Sequence, residues 1–399
     1  MQFPNWQLGP PLEMPAMNER QRFVSAITYQ QPDRVPFTPG YGRKSTLEAW
    51  RKQGLPAGVE DYHGHVRQLL GIPPEDCARL RVDPGIDFRM IPQFEEKVLA
   101  HRPSSRTGVP GVLVVQDWKG NICEISDEFD VTYLRNAVDF VTRSWVRCPV
   151  ETRQDWPEMA GRYNLNDPAR FPADFELRCR QLKERDYVSG LIFSGPFWQL
   201  REWLGFEGLC LLLLDDPDFA MEMIEFWRQF VGRMLDRILQ HYVPDFVCIN
   251  EDMAYKAKPM ISPEMARRFL LPSWRQWGEQ CRAAGVPVYE VDSDGYVGSL
   301  IPVWIDAGFN LNSPMEVAAG NDLPAYSRQF GRSMAYRGGV DKRRMALGGQ
   351  AIRDEIRRLQ PAIAAGGYIP GCDHGIPHDV SWPCFVEYCR ELAKATGWL

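Results

Sequence analysis

The sequence predicts a single (β/α)8 (TIM) barrel domain over residues 1–399, with an N-terminal extension and a β-hairpin insertion at about residues 97–147. Short apolar runs alternate with amphipathic helical segments in the second half of the chain, and repeating β-α units of this kind require a parallel sheet. About eight such units can be counted, which is the number that closes a barrel. An open doubly wound sheet is the alternative, although no G-x-G-x-x-G motif follows a first strand, so a dinucleotide-binding fold lacks its signature.

The first part of the chain predicts an amphipathic helix over residues 18–27, followed by an apolar strand that ends near Phe37. Residues 112–125 differ from the rest, because two apolar runs flank the turn-forming sequence Lys119-Gly-Asn121. Such a pattern is typical of a β-hairpin, which would be an antiparallel insertion into the barrel.

The second part alternates regularly from about residue 187. The predicted strands cover residues 188–194, 246–249, 286–292, 309–312, 334–336 and 367–370. The predicted helices cover residues 197–204, 217–238, 262–285, 296–308, 322–330, 350–365 and 380–395. The helix at 262 has a clear start signal, because Ser262 can cap the helix and Pro263 suits its first turn.

Composition excludes several classes of protein. With 399 residues and 44% hydrophobic content the chain can bury a large core, and a net charge of −6 without a Lys/Arg run argues against nucleic-acid binding. No secretory signal and no run of roughly 20 apolar residues is visible, so no membrane association is expected. Ten cysteines without CxxC spacing predict reduced thiols and a cytoplasmic location. The 13 tryptophans and 20 phenylalanines favour an aromatic-walled pocket for a small-molecule substrate, and a homodimer is left open.

Polar residues follow nearly every predicted strand, beside glycine or proline. These strand ends are 38–41, 194–198, 250–252, 290–294, 312–316, 338–341 and 371–374. In a barrel the carboxyl ends of all strands meet at one face, where catalytic residues lie. The sequence therefore predicts a functional site at this face.

The segment from Val286 to Gly295 carries the densest group of acids. Strand alternation places Glu290 and Asp292 on one face, and Asp294 follows as the strand opens into a loop. Carboxylates this close repel each other, so a cation, a shared proton or a bound metal is expected to offset them. A solvent-exposed strand end, where such acids cost little, is the competing interpretation.

Three motifs resemble the uroporphyrinogen decarboxylase superfamily over roughly residues 18 to 395. They are the segment 18–36 with its Gln-Gln-Pro-Asp-Arg-Val-Pro ending, the helix start Met260-Ile-Ser-Pro-Glu264, and Gly366-Gly-Tyr-Ile-Pro-Gly-Cys-Asp-His-Gly-Ile-Pro377. The superfamily contains the haem-pathway decarboxylase and the corrinoid-dependent methyltransferases, all on one (β/α)8 barrel. The resemblance thus implies the fold more specifically than it implies one reaction.

The motifs that differ between the two branches of the superfamily favour methyl transfer. The decarboxylase holds substrate propionates with the arginines of a Met-Arg-Gln-Ala-Gly-Arg stretch, where this chain offers only Arg43 and Lys44. The methyltransferases bind zinc through His-x-Cys and a later Pro-Gly-Cys. Here Glu290-x-Asp292 replaces the first motif, while Cys372 matches the second. The resemblance therefore implies a divalent metal, zinc in the family, on Glu290, Asp292 and Cys372, although this harder ligand set also suits other divalent ions.

We accordingly predict a methyltransferase or demethylase that moves a methyl group between a small, methylated or methoxylated substrate and a thiol or a corrinoid carried by a partner protein. A metal or a carboxylic acid of raised pKa would activate the methyl donor. The candidate catalytic residues are Glu251, Asp252, Asp294, Asp341 and His374. The candidate substrate-binding residues are Tyr41, Trp198, Tyr255, Lys256, Tyr289 and Lys342.

Several of these residues also have an alternative interpretation in which their role is purely structural. Cys372 can be a small buried residue, His374 a loop imidazole bonded to backbone, and the adjacent Arg201 and Glu202 either a ligand-orienting pair or a helix-surface ion pair. A cofactor-free decarboxylase acting on a carboxylated substrate, or a barrel that binds a small molecule without catalysis, are the alternative functions.

Overall fold

Ten strands form two sheets in the computed structural model, which describes residues 16–73, 83–106, 108–136 and 138–399. The first 15 residues of the predicted N-terminal extension therefore lie outside the described part. The antiparallel sheet consists of β1 Lys97–Arg102, β2 Val112–Gln116, β3 Ile122–Ser126 and β4 Ser144–Arg147. The parallel sheet consists of β5 Gly190–Ser194, β6 Phe246–Asn250, β7 Val288–Asp292, β8 Leu311–Ser313, β9 Ala335–Val340 and β10 Tyr368–Cys372.

The parallel sheet keeps its strands in sequence order, from β5 at one edge to β10 at the other. Its register places Ser194 opposite Asn250, Asn250 opposite Asp292, and Asp292 opposite Ser313. The last residues of four neighbouring strands thus form one row. The polar strand ends predicted from the sequence are brought to the same edge of the sheet.

Both faces of the parallel sheet are covered. One face, which we call the inner face, packs on helix α1 (Glu19–Ile27). The buried cluster between them consists of Phe23, Ala26, Ile27, Phe246, Cys248, Val288, Leu311, Ala335 and Ile369. The other face packs on the surrounding helices through Val247, Ile249, Tyr289 and Val291. Strands that are buried on both faces are typical of α/β folds, which explains why these runs are almost continuously apolar.

An extended segment runs beside β10 at the edge of the sheet. The amide of Cys372 donates to the carbonyl of Pro39 at 3.1 Å, the amide of Ile376 donates to that of Tyr41 at 2.8 Å, and Gly42 bridges Ile376 in parallel. This segment follows the predicted first strand. Within the described residues six parallel strands are formed, so the mixed α/β fold is confirmed, whereas closure into eight strands stays a prediction.

Helices connect the strands and flank the sheet. The helices after α1 are α2 Lys44–Arg51, α3 Tyr62–Leu70, α4 Tyr133–Asn136, α5 Trp156–Gly161, α6 Phe175–Lys183, α7 Pro196–Asp215, α8 Pro217–Leu239, α9 Pro263–Met265, α10 Leu271–Ala283, α11 Ile301–Ala307, α12 Leu323–Phe330, α13 Lys342–Leu347, α14 Gly349–Ala365 and α15 Trp382–Ala395. Among the described residues no helix is long and apolar enough to cross a membrane.

Local sequence signals explain several helix starts. Asn18 and Gln21 form a reciprocal capping box at α1, with both hydrogen bonds at 2.9 Å. Ser262 accepts from the amide of Met265 at 3.1 Å ahead of α9, as its position before Pro263 predicts. Asp341 alone separates β9 from α13, and its side chain caps that helix.

The antiparallel sheet is larger than the hairpin that the sequence predicts. The pair β2–β3 corresponds to that hairpin and turns through Lys119, while β1 and β4 extend it on either side. Charged groups with little solvent exposure join this sheet to α7: Lys119 Nζ lies 2.7 Å and Arg143 Nη2 lies 2.8 Å from the carboxylate of Glu202. Glu202 is thus a buried docking group, and the helix-surface interpretation of it was wrong.

Candidate functional site

Three carboxylates and one imidazole meet at the carboxyl ends of the parallel strands. Asp252 follows β6, Asp292 ends β7, Asp294 lies in the loop after β7, and His374 follows β10. We call these four residues the acid–histidine cluster. All four side chains are partly exposed, so a small molecule can reach them.

Asp292 lies at the centre of the acids. Burial, together with the negative charges of Asp294 and Glu290, raises the pKa of Asp292 to about 7. Asp292 therefore exchanges a proton near neutral pH, whereas an ordinary aspartate is fully ionised there. A carboxyl group that still carries its proton at neutral pH can act as a general acid.

Ser313 links Asp292 to the buried acid below it. Its hydroxyl lies 2.7 Å from Oε1 of Glu290 and 3.1 Å from Oδ2 of Asp292. A serine hydroxyl has one proton but two acceptor lone pairs. Ser313 can therefore donate to only one of the two acids at a time, and its hydrogen bond to Asp292 opposes the burial and the neighbouring charges that raise the pKa of Asp292.

Glu290 is fully buried and paired with Arg337 of β9. The two side chains form an ion pair at 2.5 Å between Oε1 and Nη2, and no described residue bonds to the other carboxylate oxygen of Glu290. The sequence did not single out Arg337. The sequence feature that could have identified Arg337 is an arginine inside an otherwise apolar strand, where only a buried group of opposite charge would offset its charge.

His374 and Asp294 form the second part of the cluster. The His374 Nε2 lies 3.2 Å from Asp294 Oδ2. Burial alone would lower the pKa of His374, but the hydrogen bond and the charge of Asp294 raise it above its usual value. Burial likewise would raise the pKa of Asp294, but His374, with Lys342 and Arg43 nearby, holds it below its usual value. Both shifts favour the ion-paired form of His374 and Asp294.

Asp252 is held by Arg201, whose Nη2 lies 2.9 Å from Oδ2 and whose Nη1 donates to the Asp252 carbonyl at 2.8 Å. Burial and the charge of Asp294 raise the pKa of Asp252, and Arg201 opposes them. Asp252 also has a left-handed backbone with φ 39°, which is rare for a residue other than glycine. Arg201 thus orients an acid of the cluster and does not form the helix-surface ion pair with Glu202, while its role toward a ligand stays a prediction.

Glu251 does not face the cluster, although it precedes Asp252. It is fully buried, accepts the amide of Trp198 at 3.0 Å and the indole of Trp274 at 2.5 Å, and burial raises its pKa to about 8. A Cβ atom on Gly195 would approach its carboxyl carbon to 2.1 Å. Glu251 therefore holds the first turn of α7 instead of contacting a ligand in the cluster.

Asp341 also has a structural position. It caps α13 by accepting the amide of Arg343 at 2.9 Å, and its carboxylate pairs with the guanidinium of the same residue at 2.8 Å. Its neighbour Lys342 does lie near the cluster, between Glu316 at 3.1 Å and Asp373 at 3.5 Å. The predicted role of Asp341 as a catalytic residue thus finds no support in its contacts, while Lys342 supplies positive charge at the site.

The predicted aromatic wall is only partly assembled. The guanidinium of Arg201 lies over Trp198, 4.2 Å from the centroid of the indole ring. Tyr41 is 54% exposed at the end of its extended segment. Tyr255 is also exposed and packs edge-on against Phe206, and Lys256 beside it is exposed.

Tyr289 lies on the helix-facing side of β7. Its ring stacks on Phe309 at 4.1 Å, and its hydroxyl donates to the carbonyl of Trp274 at 2.8 Å. Successive residues of a strand point to opposite faces, so Tyr289 points away from Glu290 and cannot line the same site. The substrate-binding prediction for Tyr289 is corrected by this packing.

The predicted metal site does not form as a ligand set. Across the part of the chain that the structure describes, no three His, Cys, Asp or Glu side chains are grouped so that they could hold a metal ion. Glu290 is engaged by Arg337, and burial together with Asp373 raises the pKa of Cys372 to about 12. Because an internal cation already holds Glu290, the donors Glu290, Asp292 and Cys372 do not fit a metal in this arrangement.

Comparison with solved structures shows the fold. The chain is similar to a methyltransferase from Methanosarcina mazei, with a TM-score of 0.54 and 13% identity over 96% of this chain and 98% of the other. A B12-independent methionine synthase from Shewanella sp. W3-18-1 aligns with a TM-score of 0.34 and 10% identity over 91% of this chain and 97% of the other, which is too low to support an argument. No family model matches the sequence, and no curated protein matches it.

Proposed function

We propose that the protein is a methyl-transfer enzyme that uses Asp292 as its general acid. The observation that supports the proposal is the protonatable Asp292 carboxyl, with a pKa of about 7, among the polar ends of the parallel strands. The fold likeness to the Methanosarcina mazei methyltransferase and the superfamily motifs agree with it. Fold likeness does not fix a reaction, so the proposal depends on the cluster.

The closed barrel is also part of this proposal. We infer that the six parallel strands are part of a (β/α)8 barrel, since α1 covers the inner face and the segment that contains Pro39 and Tyr41 continues the sheet beyond β10. The strand ends then surround the acid–histidine cluster, as catalytic residues do in barrels of this class.

Protonation is the chemistry that such a site can supply. A methyl group on an ether oxygen or an amine nitrogen is transferred poorly, because the departing heteroatom carries negative charge or is a strong base. When Asp292 donates its proton to that heteroatom, the bond between carbon and heteroatom breaks with its electron pair on the heteroatom, which leaves as an alcohol or an amine. The methyl group forms its new bond with the electron pair of an acceptor nucleophile, and Asp292 regains a proton from solvent.

The remaining cluster residues position and balance this acid. Asp294, ion-paired with His374, keeps its negative charge near Asp292 and so sustains the raised pKa of Asp292. Arg201 fixes Asp252 at the opposite side. Because Asp252 and Asp294 each have their own cation or imidazole, the arrangement favours Asp292 as the acid that keeps a proton.

The acceptor is a separate molecule in this proposal. A corrinoid on a partner protein, or a thiol, would supply the nucleophile that takes the methyl group. In this proposal the proton of Asp292, and not a metal ion, activates the methyl donor.

The test is a methyl-transfer assay on purified protein with methoxylated aromatics and methylamines as donors, and reduced cobalamin or a thiol as acceptor. Wild type is expected to demethylate at least one donor, and Asp292→Asn to lose at least about a hundredfold in rate, the lower range for general acid catalysis. Asp341→Asn is the matched control, because it changes the same functional group directly after β9, outside the cluster.

Three results would defeat the proposal. Full activity of Asp292→Asn would remove its central residue. Cofactor-free decarboxylation of a carboxylated tetrapyrrole in place of methyl transfer would establish the decarboxylase. Binding of donors without turnover under any acceptor would indicate a non-catalytic barrel.

A further inference from the structure

The second half of α7 exposes apolar side chains where an apolar helix is normally buried. Residues 209–214 read Leu-Cys-Leu-Leu-Leu-Leu, so this segment is apolar on every side. A helix of this composition is typically buried all round. Leu209 and Leu213 are indeed buried in the core, whereas Leu211 is 52% exposed and Leu214 is 70% exposed. The described residues therefore leave part of the apolar surface of this segment uncovered.

The exposed leucines belong to a larger apolar surface. Leu211 and Leu214 are three residues apart, which makes them neighbours on one face of the helix, and the partly exposed Cys210 borders them. At the start of the segment, the ring of Phe206 packs edge-on against the exposed ring of Tyr255, with centroids 5.5 Å apart. We call the surface formed by these five residues the α7 face. Exposed apolar groups that lie together mark interaction sites.

The loop after β6 that contains Tyr255 has a fixed backbone. The amide of Tyr255 donates to the carbonyl of Lys258 at 2.9 Å, and the carbonyl of Tyr255 accepts the amide of Tyr296 at 2.8 Å. A Cβ atom on Gly295 would approach the carbonyl oxygen of Ala254 to 2.4 Å, so the loops after β6 and β7 pack closely. The exposed side chains of this turn are thus already ordered, which lowers the entropic cost of binding a partner.

Charges of opposite sign lie at the two ends of the α7 face. Lys256 and Lys258 are exposed in the turn at one end, which we call the lysine end. Asp215 and Asp218 are exposed at the other, which we call the aspartate end. Across the described part of the chain, none of these four side chains forms an ion pair or a hydrogen bond. At a rise of roughly 1.5 Å per residue, the helix from Phe206 to Asp215 separates the two ends by about 14 Å.

We propose that the α7 face binds a second copy of this chain about a two-fold axis, with the two α7 helices antiparallel. The apolar side chains then cover each other, because a two-fold interface joins the same surface on both subunits. The antiparallel direction brings the lysine end of one copy to the aspartate end of the other, so all four charges gain partners. A parallel arrangement would place like charges together. This interface does not depend on the reaction that the protein catalyses.

The charges favour a second copy over a different protein. Each monomer carries both ends, so a second copy presents an aspartate end to every lysine end, whereas an unrelated partner would need the same order of charges by coincidence. Five apolar side chains do not reach the roughly 800 Å² per partner of a standard interface, so the charged ends form part of the contact. We therefore expect a reversible dimer with a dissociation constant of about 1–100 µM.

Sedimentation velocity over a range of protein concentrations measures this association. Leu211→Asp combined with Leu214→Asp is expected to raise the dissociation constant at least about a hundredfold, because it would bury unpaired charges at the centre of the interface. Leu347→Asp is the matched control, because Leu347 is a similarly exposed leucine on α13, outside the α7 face, and should leave the constant unchanged. All three leucines are exposed, so unchanged thermal unfolding should verify that the variants fold.

Charge reversal tests the antiparallel direction. Asp215→Lys is expected to weaken the dimer about tenfold, because it places a cation against the lysine end of the partner subunit and the two-fold axis repeats the change at both ends. Adding Lys256→Glu to Asp215→Lys should recover most of the loss, since attraction is restored with the signs exchanged.

Three results would overturn the interface. Wild type that remains monomeric at about 100 µM would show that no second copy binds with the expected affinity. A dimer that Leu211→Asp with Leu214→Asp leaves intact would place the interface elsewhere on the molecule. A loss in Asp215→Lys that Lys256→Glu deepens instead of recovering would reject the antiparallel arrangement.

Discussion

Glu290 and Arg337 form an ion pair across β8, with the Glu290 side chain fully buried and the Arg337 side chain 19% exposed. The pair lies one layer below the acid–histidine cluster, since the register places Asp292 directly opposite Ser313 and Ser313 bonds to both acids. The charge of Glu290 thus acts on Asp292 from inside the protein. This relationship sets both the stability of the strand ends and the protonation of the candidate acid.

Arg337→Met should be strongly destabilising. Removing one partner leaves Glu290 as an uncompensated buried charge, and the free energy of unfolding should fall by about 3 kcal/mol. Glu290→Gln in addition should recover much of the loss, because both charges are then gone. Urea denaturation of the single and double variants measures this. A double variant no more stable than Arg337→Met would show that the buried charge is not the cause.

The same two residues should shift the pH dependence of activity in opposite directions. The charge of Glu290 raises the pKa of Asp292 and that of Arg337 lowers it. If protonated Asp292 is the acid, activity in wild type declines as pH rises through about 7. Glu290→Gln should move this decline to lower pH and Arg337→Met to higher pH. Rate profiles between pH 5 and 9 test it, and a shift of both variants in one direction would contradict the assignment.

Asp292→Asn should stabilise the protein, and the gain should grow with pH. The pKa of Asp292 is about 7 when folded, whereas an unfolded aspartate titrates near 4. Between these values the folded state binds more protons than the unfolded state, so the contribution of Asp292 to stability falls as pH rises from about 4 to 7. Asp292→Asn has no carboxyl group at this position, so the stability of the variant does not fall in this way as pH rises. The difference in melting temperature between variant and wild type should therefore be small at pH 4 and largest above pH 7.

Thermal unfolding at several pH values measures this difference. The control Asp341→Asn should instead lose stability at neutral pH, because the pKa of Asp341 is lowered in the folded protein and its charge is stabilising there. A stability difference for Asp292→Asn that stays constant with pH would mean that Asp292 is already ionised in the folded protein.

The sequence predicted the parallel strands well, and for a physical reason. Strands buried on both faces must be apolar, so β6, β7 and β10 stand out as apolar runs that end in polar residues. The first part was harder to predict. The helices α2 and α3 are short, and the segment that contains Pro39 is extended beside β10 with few ladder bonds, so neither has a long periodic pattern.

Pairings between distant residues were beyond the sequence. Strand alternation placed Glu290 and Asp292 on one side, and the structure shows both bonded to Ser313. Alternation also puts Tyr289 on the opposite face, a consequence that the sequence reasoning did not apply to it. The counter-charge of Glu290 comes from Arg337, 47 residues later, and only the strand register reveals that contact.

Glu202 should hold the antiparallel sheet against α7. It is 2% exposed, and although burial raises its pKa, the charges of Lys119 and Arg143 hold that pKa at about 2. Glu202→Gln leaves Lys119 and Arg143, both with little solvent exposure, with only the more distant carboxylate of Asp117, 3.9 Å from Arg143 Nη1, so the free energy of unfolding should fall by about 3 kcal/mol. Glu158→Gln is the control, because Glu158 pairs with Arg162 while its own side chain is 79% exposed, and such surface pairs contribute only about 0–1 kcal/mol.

Limited proteolysis should then show where the structure loosens. Cleavage within residues 97–147 should accelerate in Glu202→Gln before the rest of the chain is cut, because the lost pairs join that sheet to α7. Adding Lys119→Met to Glu202→Gln removes one of the two cations that Glu202 held and should restore part of the stability. In wild type the pairing is fully present above about pH 4 and is lost only as pH falls toward 2, since the folded pKa of Glu202 lies below its unfolded value. Wild-type stability and protease resistance in Glu202→Gln would show that apolar packing, not the buried charges, docks the antiparallel sheet.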